Sequence, residues 1–123
     1  MNGNRFVLDT NTILYILNGD EALAELLYGE KLYASIISEM ELLSYPGLTA
    51  RGKNQIRNFL SDLEIVGIDE SVRDQTIEVK KKSHLKLPDS IIAATAITLG
   101  VPLISADKQF RTVSGLNFIL YQL

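Results

Sequence analysis

The chain has 123 residues, 46% of them hydrophobic and 22% charged, a size and balance that suit one folded domain over residues 1–123 with a proper core. There is no cysteine and a single histidine, His84, which excludes disulfides, thiolate metal sites, cysteine nucleophiles and multi-histidine metal sites. The net charge of −3 argues against a nucleic-acid binder that works by counterion release alone, so any phosphate ligand needs local neutralisation, which a bound metal would supply.

Taken in chain order, the first element is "RFVLD" (5–9), a greasy run that ends on a bare carboxylate, Asp9. "MNGNRF" has no apolar segment before it, which points to a cytoplasmic protein. Ile13, Leu14, Ile16 and Leu17 form one helical face, stopped by Gly19; Leu23, Leu26 and Leu27 form the next, ending at Gly29. "KLYASI" (31–36) reads as a strand, and Met40 and Leu43 suggest a short helix that breaks at Pro46-Gly47. Thr49 caps a longer helix carrying Ile56, Phe59, Leu60 and Leu63, followed by the strand "EIVGI" (64–68).

The segment 70–83 carries a thin apolar face of Val72, Ile77 and Val79 and reads as an outer, solvated helix. "SIIAATAITL" is nearly apolar all round and rich in alanine, which predicts a central helix over 89–99, packed on a sheet. The strands "VPLIS" (101–105) and "NFILYQ" (117–122) complete the set. The uncharged stretch from Ser90 to Ala106 is short of the ~20 residues of a membrane span and is cut by Gly100 and Pro102. Most strands are continuously apolar, as in parallel strands covered on both faces, so the class is α/β with a mainly parallel, five-stranded sheet. Two successive helices before the fourth strand require "HLKLP" to turn the chain back, or the outer helix to lie crosswise.

In such a sheet ligands bind at the carboxyl ends of the strands. Asp9 closes the first strand, Glu41 follows the second in the first turn of its helix, and Asp107 follows the fourth; Asp89 opens the buried helix. Each has a structural reading: Asp9 as an Asx turn or cap, Ser38-x-x-Glu41 as a capping box, Asp89 as a favourable charge at a helix N-terminus, Asp107 as a turn residue. Glu39 and Glu41 point to opposite sides of their helix, and Glu41 is the one assigned to the crevice because Glu39 lies nearer the cap. Two like charges ~4 Å apart repel by roughly 4 kcal/mol at an effective dielectric near 20, whereas a cap contributes only about 1 kcal/mol. Four converging acids therefore imply a cation, and oxygen ligands without histidine or cysteine point to Mg²⁺ or Mn²⁺ and to phosphodiester hydrolysis. A phosphatase with Asp9 as nucleophile is a second reading, though its usual second acid is here Asn11; a non-catalytic RNA- or protein-binding module is a third.

"FVLDTNTILYIL", "ASIISEMELLSYPGL" and "LPDSIIAATAITLGVPLISADKQF", in this order and spacing, resemble the motifs of PIN-domain ribonucleases, and most of all the VapC-type toxins of toxin–antitoxin pairs. The resemblance covers essentially the whole chain. It implies a three-layer α/β/α sandwich and an acidic, metal-binding site at Asp9, Glu41, Asp89 and Asp107. Ser105 takes the place of a small hydroxyl residue before the last acid, Asn11 matches the polar residue of the D-x-N start, and Thr10 and Ser38 help to orient ligands. The resemblance also implies RNA cleavage with Mg²⁺ or Mn²⁺, a homodimer, and a small antitoxin partner across the groove.

Basic side chains offer RNA contacts at Lys80, Lys81, Lys82 and Lys86, and at Lys108 and Arg111 beside Asp107, with Arg51, Lys53 and Arg57 as a further patch. For the lysine run a solvated helix end is the default reading. Tyr15, Tyr28, Tyr33 and Tyr45 are expected at core edges or a dimer surface rather than under a base. His84 is expected at the surface without a catalytic role.

Overall fold

The structure is a computed structural model that describes residues 4–122. Five parallel strands, β1 (Arg5–Leu8), β2 (Lys31–Ser35), β3 (Glu64–Val66), β4 (Leu103–Ser105) and β5 (Phe118–Leu120), form one sheet in the order β3-β2-β1-β4-β5. Each strand is shorter than its apolar run suggested: the first three runs continue past the ladder into a turn or cap, β4 begins two residues into its run, and β5 is trimmed at both ends. Six helices cover the sheet: α1 (Thr10–Leu17), α2 (Glu21–Leu27), α3 (Ile36–Leu43), α4 (Ala50–Leu60), α5 (Glu70–Lys82) and α6 (Leu87–Leu99). This is the expected three-layer α/β/α sandwich. No helix among the described residues is long and apolar enough to cross a membrane.

Strand alternation builds two cores. Val7, Tyr33 and Leu103 face α5 and α6, while Leu8, Ala34 and Ile104 face the layer of α1 to α4. α6 buries Ser90 through Ala96 without a break, and its alanines let it lie close on β1 and β2. Gly100 ends it in the left-handed region, at φ 67°, where a side chain would be strained. Residues 83–86 turn the chain between α5 and α6, which pack against each other, and the Lys80 ammonium secures that turn by donating to the Leu85 carbonyl.

Two helical faces differ from the expected ones. On α5 the buried residues are Val72, Thr76 and Val79, and Ile77 is exposed. At ~100° per residue, position 77 lies roughly 140° round the helix from position 72, whereas 76 and 79 fall in line with it. On α2, Leu23 and Leu27 are buried one turn apart and Leu26 is exposed.

A 3₁₀ turn, Lys108–Thr112, was not anticipated; it exists to seat Phe110, which is 1% exposed and meets Phe118 at a 6.0 Å ring separation. Truncating this ring removes one of the largest buried side chains. Phe110→Ala is expected to cost about 3–5 kcal/mol in urea unfolding, whereas Ile77→Ala should stay within about 0.5 kcal/mol.

Candidate active site

The strand order reverses direction at β1, between β2 and β4, and the crevice outside such a reversal is where open α/β sheets hold ligands. Leu8 pairs with Ile104, so the next residues, Asp9 and Ser105, leave the sheet side by side. Asp9 caps α1 and is 5% exposed. Its Oδ1 accepts the Thr12 amide at 2.9 Å and the Thr12 hydroxyl at 2.5 Å; its Oδ2 accepts the Ser105 hydroxyl at 2.5 Å. Thr12 Oγ1 also lies 3.1 Å from the Ile104 carbonyl, but its one proton belongs to the shorter, charge-assisted bond. The Ser105 oxygen in turn accepts the Asp107 amide at 2.9 Å. Burial pushes the Asp9 carboxyl above its ordinary value, the bonds from Ser105 and Thr12 pull it back, and nearby Asp107 pushes it up again; the balance is a raised pKa. The cap and the buried acid are thus one residue.

Glu41 lies in the second turn of α3, not the first, because the helix starts at Ile36 and is capped by Ser35, whose hydroxyl oxygen accepts the Ile37 amide. The Ser38-x-x-Glu41 capping box does not form. Ser38 is fully buried within the helix, and Thr10 connects it to Glu41. Thr10 Oγ1 donates to Glu41 Oε1 at 2.6 Å; with that proton spent, the Ser38 hydroxyl, 2.9 Å away, is the donor to Thr10. Glu39 turns instead toward a shallow surface hollow shared with Met40, Leu43 and Arg57.

Asp89 is the third residue of α6, behind Leu87 and Pro88, and does not cap it; Lys86 occupies the cap position without a side-chain bond. Its half-buried carboxyl is raised by burial and by Asp107, Glu41 and Asp9, and lowered by Lys86. Asp107 caps the 3₁₀ turn, accepting the Gln109 amide at 2.9 Å.

These four acids line one cleft of about 570 Å³. Thr10, Asn11, Asn18 and Tyr45 line it with them, together with the apolar Leu14, Leu42, Leu48, Ile56 and Ile92. Among the described residues no group of three or more histidine, aspartate or glutamate side chains is close enough to cage an ion directly. Bonds to Thr12, Ser105, Thr10 and the Gln109 amide hold Asp9, Glu41 and Asp107 in separate places. Such spacing suits a hydrated hard cation that takes one or two carboxylates directly and reaches the others through its waters, as Mg²⁺ commonly does. The donor set, all oxygen and all anionic, fits that ion.

The basic residues stand elsewhere. Lys81 and Lys82 pair with Glu78, Lys80 is engaged at Leu85, and Lys108 and Arg111 are exposed on the 3₁₀ turn, outside the cleft lining. Lys86 acts on Asp89, lowering its carboxyl. Arg51, Lys53 and Arg57 are exposed on α4, and His84 is exposed. Tyr33 is buried, Tyr28 is exposed, and Tyr45 lines the cleft at 66% exposure. Thr12 was missed; the spacing Asp9-x-x-Thr12, which puts a hydroxyl at the third helical position against its cap, was the signal that could have found it.

The architecture is similar to that of several solved structures, a toxin–antitoxin complex among them. The chain superposes on VapBC2 from Rickettsia felis, a complex bound to a DNA fragment from its promoter, with a TM-score of 0.84, 23% identity, and coverage of 96% of this chain and 99% of that one. A toxin–antitoxin complex from Klebsiella pneumoniae gives 0.81 at 25% identity, covering 95% and 98%. FitAcB from Neisseria gonorrhoeae gives 0.75 at 22%, covering 93% and 96%. No curated protein sequence matches the chain. The sequence model of the PIN domain matches residues 6–116, nearly the whole chain, and places the protein in the PIN domain family.

Proposed function

We propose that the chain, acting as one catalytic unit over residues 1–123, is a Mg²⁺- or Mn²⁺-dependent endoribonuclease, the VapC-type toxin of a toxin–antitoxin pair. The observation that carries this reading is the single cleft lined by Asp9, Glu41, Asp89 and Asp107, with no cationic side chain in its lining among the described residues. A cluster of this kind repels itself unless a divalent cation joins it. The toxin–antitoxin complexes among the structural relatives support the assignment of a small antitoxin as partner. A homodimer and a cytoplasmic site of action belong to the same reading, since RNA is the substrate and the cytoplasm is where it is met.

Asp9, Glu41, Asp89 and Asp107 would hold the ion, whose contribution is Lewis-acid activation of water and neutralisation of phosphate charge. The chain's own residues do the rest. Thr12 and Ser105 fix the Asp9 carboxylate at the cleft wall. Thr10 and Ser38 fix Glu41. Asp89, in the first turn of α6 and on the cleft wall, would take the proton lost by the attacking water as the new P–O bond forms. The departing sugar oxygen leaves with the electrons of the broken P–O bond and is reprotonated from solvent.

The phosphatase reading is disfavoured by the sequence beside Asp9: the second acid such chemistry commonly uses, two residues on, is here Asn11. The test is cleavage of a labelled structured RNA by the purified protein with Mg²⁺ or Mn²⁺. Cutting that stops on adding EDTA and returns with metal is expected. Cutting that persists in EDTA would contradict the mechanism, and no cutting with either metal would contradict the activity.

A further inference from the structure

We infer that Thr12 is a positioning residue that selects the ion: its hydroxyl fills the second lone pair of Asp9 Oδ1, restricts Asp9 to one free site, on Oδ2, and so favours Mg²⁺ or Mn²⁺ over Ca²⁺. The inference rests on the metal-dependent nuclease reading above and adds what chooses the ion. An ionised carboxylate has about four lone-pair sites, two on each oxygen. Asp9 Oδ1 accepts both the amide and the hydroxyl of Thr12, and Oδ2 accepts the Ser105 hydroxyl; three sites are taken and one remains, on Oδ2. Glu41 and Asp107 are held more loosely, the first by the Thr10 hydroxyl and the second by the Gln109 amide. Asp9 is thus the acid whose manner of binding an ion the fold itself decides.

The start of α1 explains the arrangement. Asp9 is the N-cap and Thr12 the third helical residue, so a residue of any type at 12 would offer its amide to the cap. The threonine hydroxyl adds a second bond to the same oxygen. Thr12 is fully buried, so its O–H has no water to turn to; its acceptors are Asp9 Oδ1 at 2.5 Å and the Ile104 carbonyl at 3.1 Å. A cation held by both Asp9 oxygens would displace this bond and send the proton to Ile104. That exchanges a charge-assisted hydrogen bond for a neutral one roughly half as strong. Ca²⁺ takes about six to eight oxygens and often engages both oxygens of a carboxylate, whereas Mg²⁺ keeps an octahedron of waters with one or two carboxylates. Mn²⁺ shares the octahedral preference. A one-oxygen Asp9 therefore suits Mg²⁺ and Mn²⁺ and denies Ca²⁺ a ligand it would use. The lost bond corresponds to about a tenfold change in preference.

The experiment reads ion binding apart from cleavage. Mg²⁺ and Ca²⁺ affinities of the full chain are obtained from the rise in its unfolding midpoint as each cation is added. Thr12→Val removes the hydroxyl at nearly constant volume and keeps the amide bond. The ratio of the Ca²⁺ Kd to the Mg²⁺ Kd is expected to fall about tenfold in Thr12→Val and to return to the wild-type value in Thr12→Ser. An unchanged ratio in Thr12→Val, an equal loss for both cations, or a Thr12→Ser variant that behaves like the valine one overturns the inference. Crystals of the wild-type chain soaked in Mn²⁺ give a second test that needs no variant to fold. Asp9 bonded to the ion through Oδ2 alone, with both Thr12 bonds in place, is expected; Asp9 bonded through both oxygens overturns the inference. RNA cleavage that requires Mg²⁺ or Mn²⁺, found together with an unchanged ratio, strikes the inference and leaves the nuclease reading standing. The expected ratios without RNA cleavage do the reverse, and a wild-type chain that binds neither cation strikes both.

Discussion

Asp9→Asn is expected to lower RNA cleavage by well over a hundredfold while making the metal-free protein more stable at neutral pH. Changes to groups that merely support a ligand commonly cost ten- to a hundredfold, and Asp9 is the proposed ligand itself. The asparagine side chain is nearly isosteric: its carbonyl can still accept from Thr12, and its amide can donate to the Ser105 oxygen, so the cap of α1 persists. What disappears is a charge 5% exposed and close to another acid. The sign of the pH effect follows. The folded-state pKa of Asp9 lies above its ordinary 3.8, so between those two values the folded chain binds more protons than the unfolded one. Without metal, stability therefore falls as pH rises from about 4 through the raised pKa, and is level above it. Asp89 acts with the same sign. Asp9→Asn should remove the Asp9 part of that fall in urea or thermal unfolding across pH 4–7. Added Mg²⁺ should stabilise the wild type increasingly with pH, since the ion competes with protons for the same oxygens, and should do so much less for the variant. A variant that cleaves at the wild-type rate would remove Asp9 from the mechanism.

Ser105→Ala should injure both the fold and the chemistry. Ser105 is fully buried, and its one hydroxyl donates to Asp9 and accepts from the Asp107 amide. Its removal leaves a buried carboxylate oxygen and a backbone donor each short of a partner, at about 1–3 kcal/mol per group. The expected loss is about 2 kcal/mol or more in urea unfolding. Because that hydroxyl is the largest of the bonds holding the Asp9 pKa down, the alanine variant should show a pH–rate profile displaced upward, with cleavage reduced about ten- to a hundredfold. Ser105→Thr returns the hydroxyl and should restore most of both. A purely structural role would lower stability and leave the profile in place.

Much of this architecture was readable beforehand, because its signals are physical and local. Continuous apolar runs marked parallel strands buried on both faces, and an all-round apolar, alanine-rich segment marked the central helix α6. The acids at strand ends could be assigned to one edge because parallel strands all finish on the same side. Opposed directions meant that only one of Glu39 and Glu41 could face the crevice; Glu41 was chosen because Glu39 lay nearer a cap read at Ser38, and the cleft contains Glu41 although the cap is Ser35. The errors came from where helices begin. Ser35 and Ser38 are both serines three residues or so ahead of an acid, and only the end of the β2 ladder shows that Ser35 is the cap. A start three residues earlier moved Glu41 from the first turn to the second. Tyr45 was beyond reach for a different reason: its place in the cleft depends on α1, α3 and α4 coming together, which no local pattern encodes.

Soaking crystals of the full chain in Mn²⁺ and locating the ion by anomalous scattering would test the whole account in one measurement. A peak in the cleft beside Asp9, bonded to its carboxylate and within reach of Glu41, Asp89 and Asp107 directly or through water, is the predicted result. An empty cleft at saturating Mn²⁺, with the four carboxylates still held by their present partners, would contradict it.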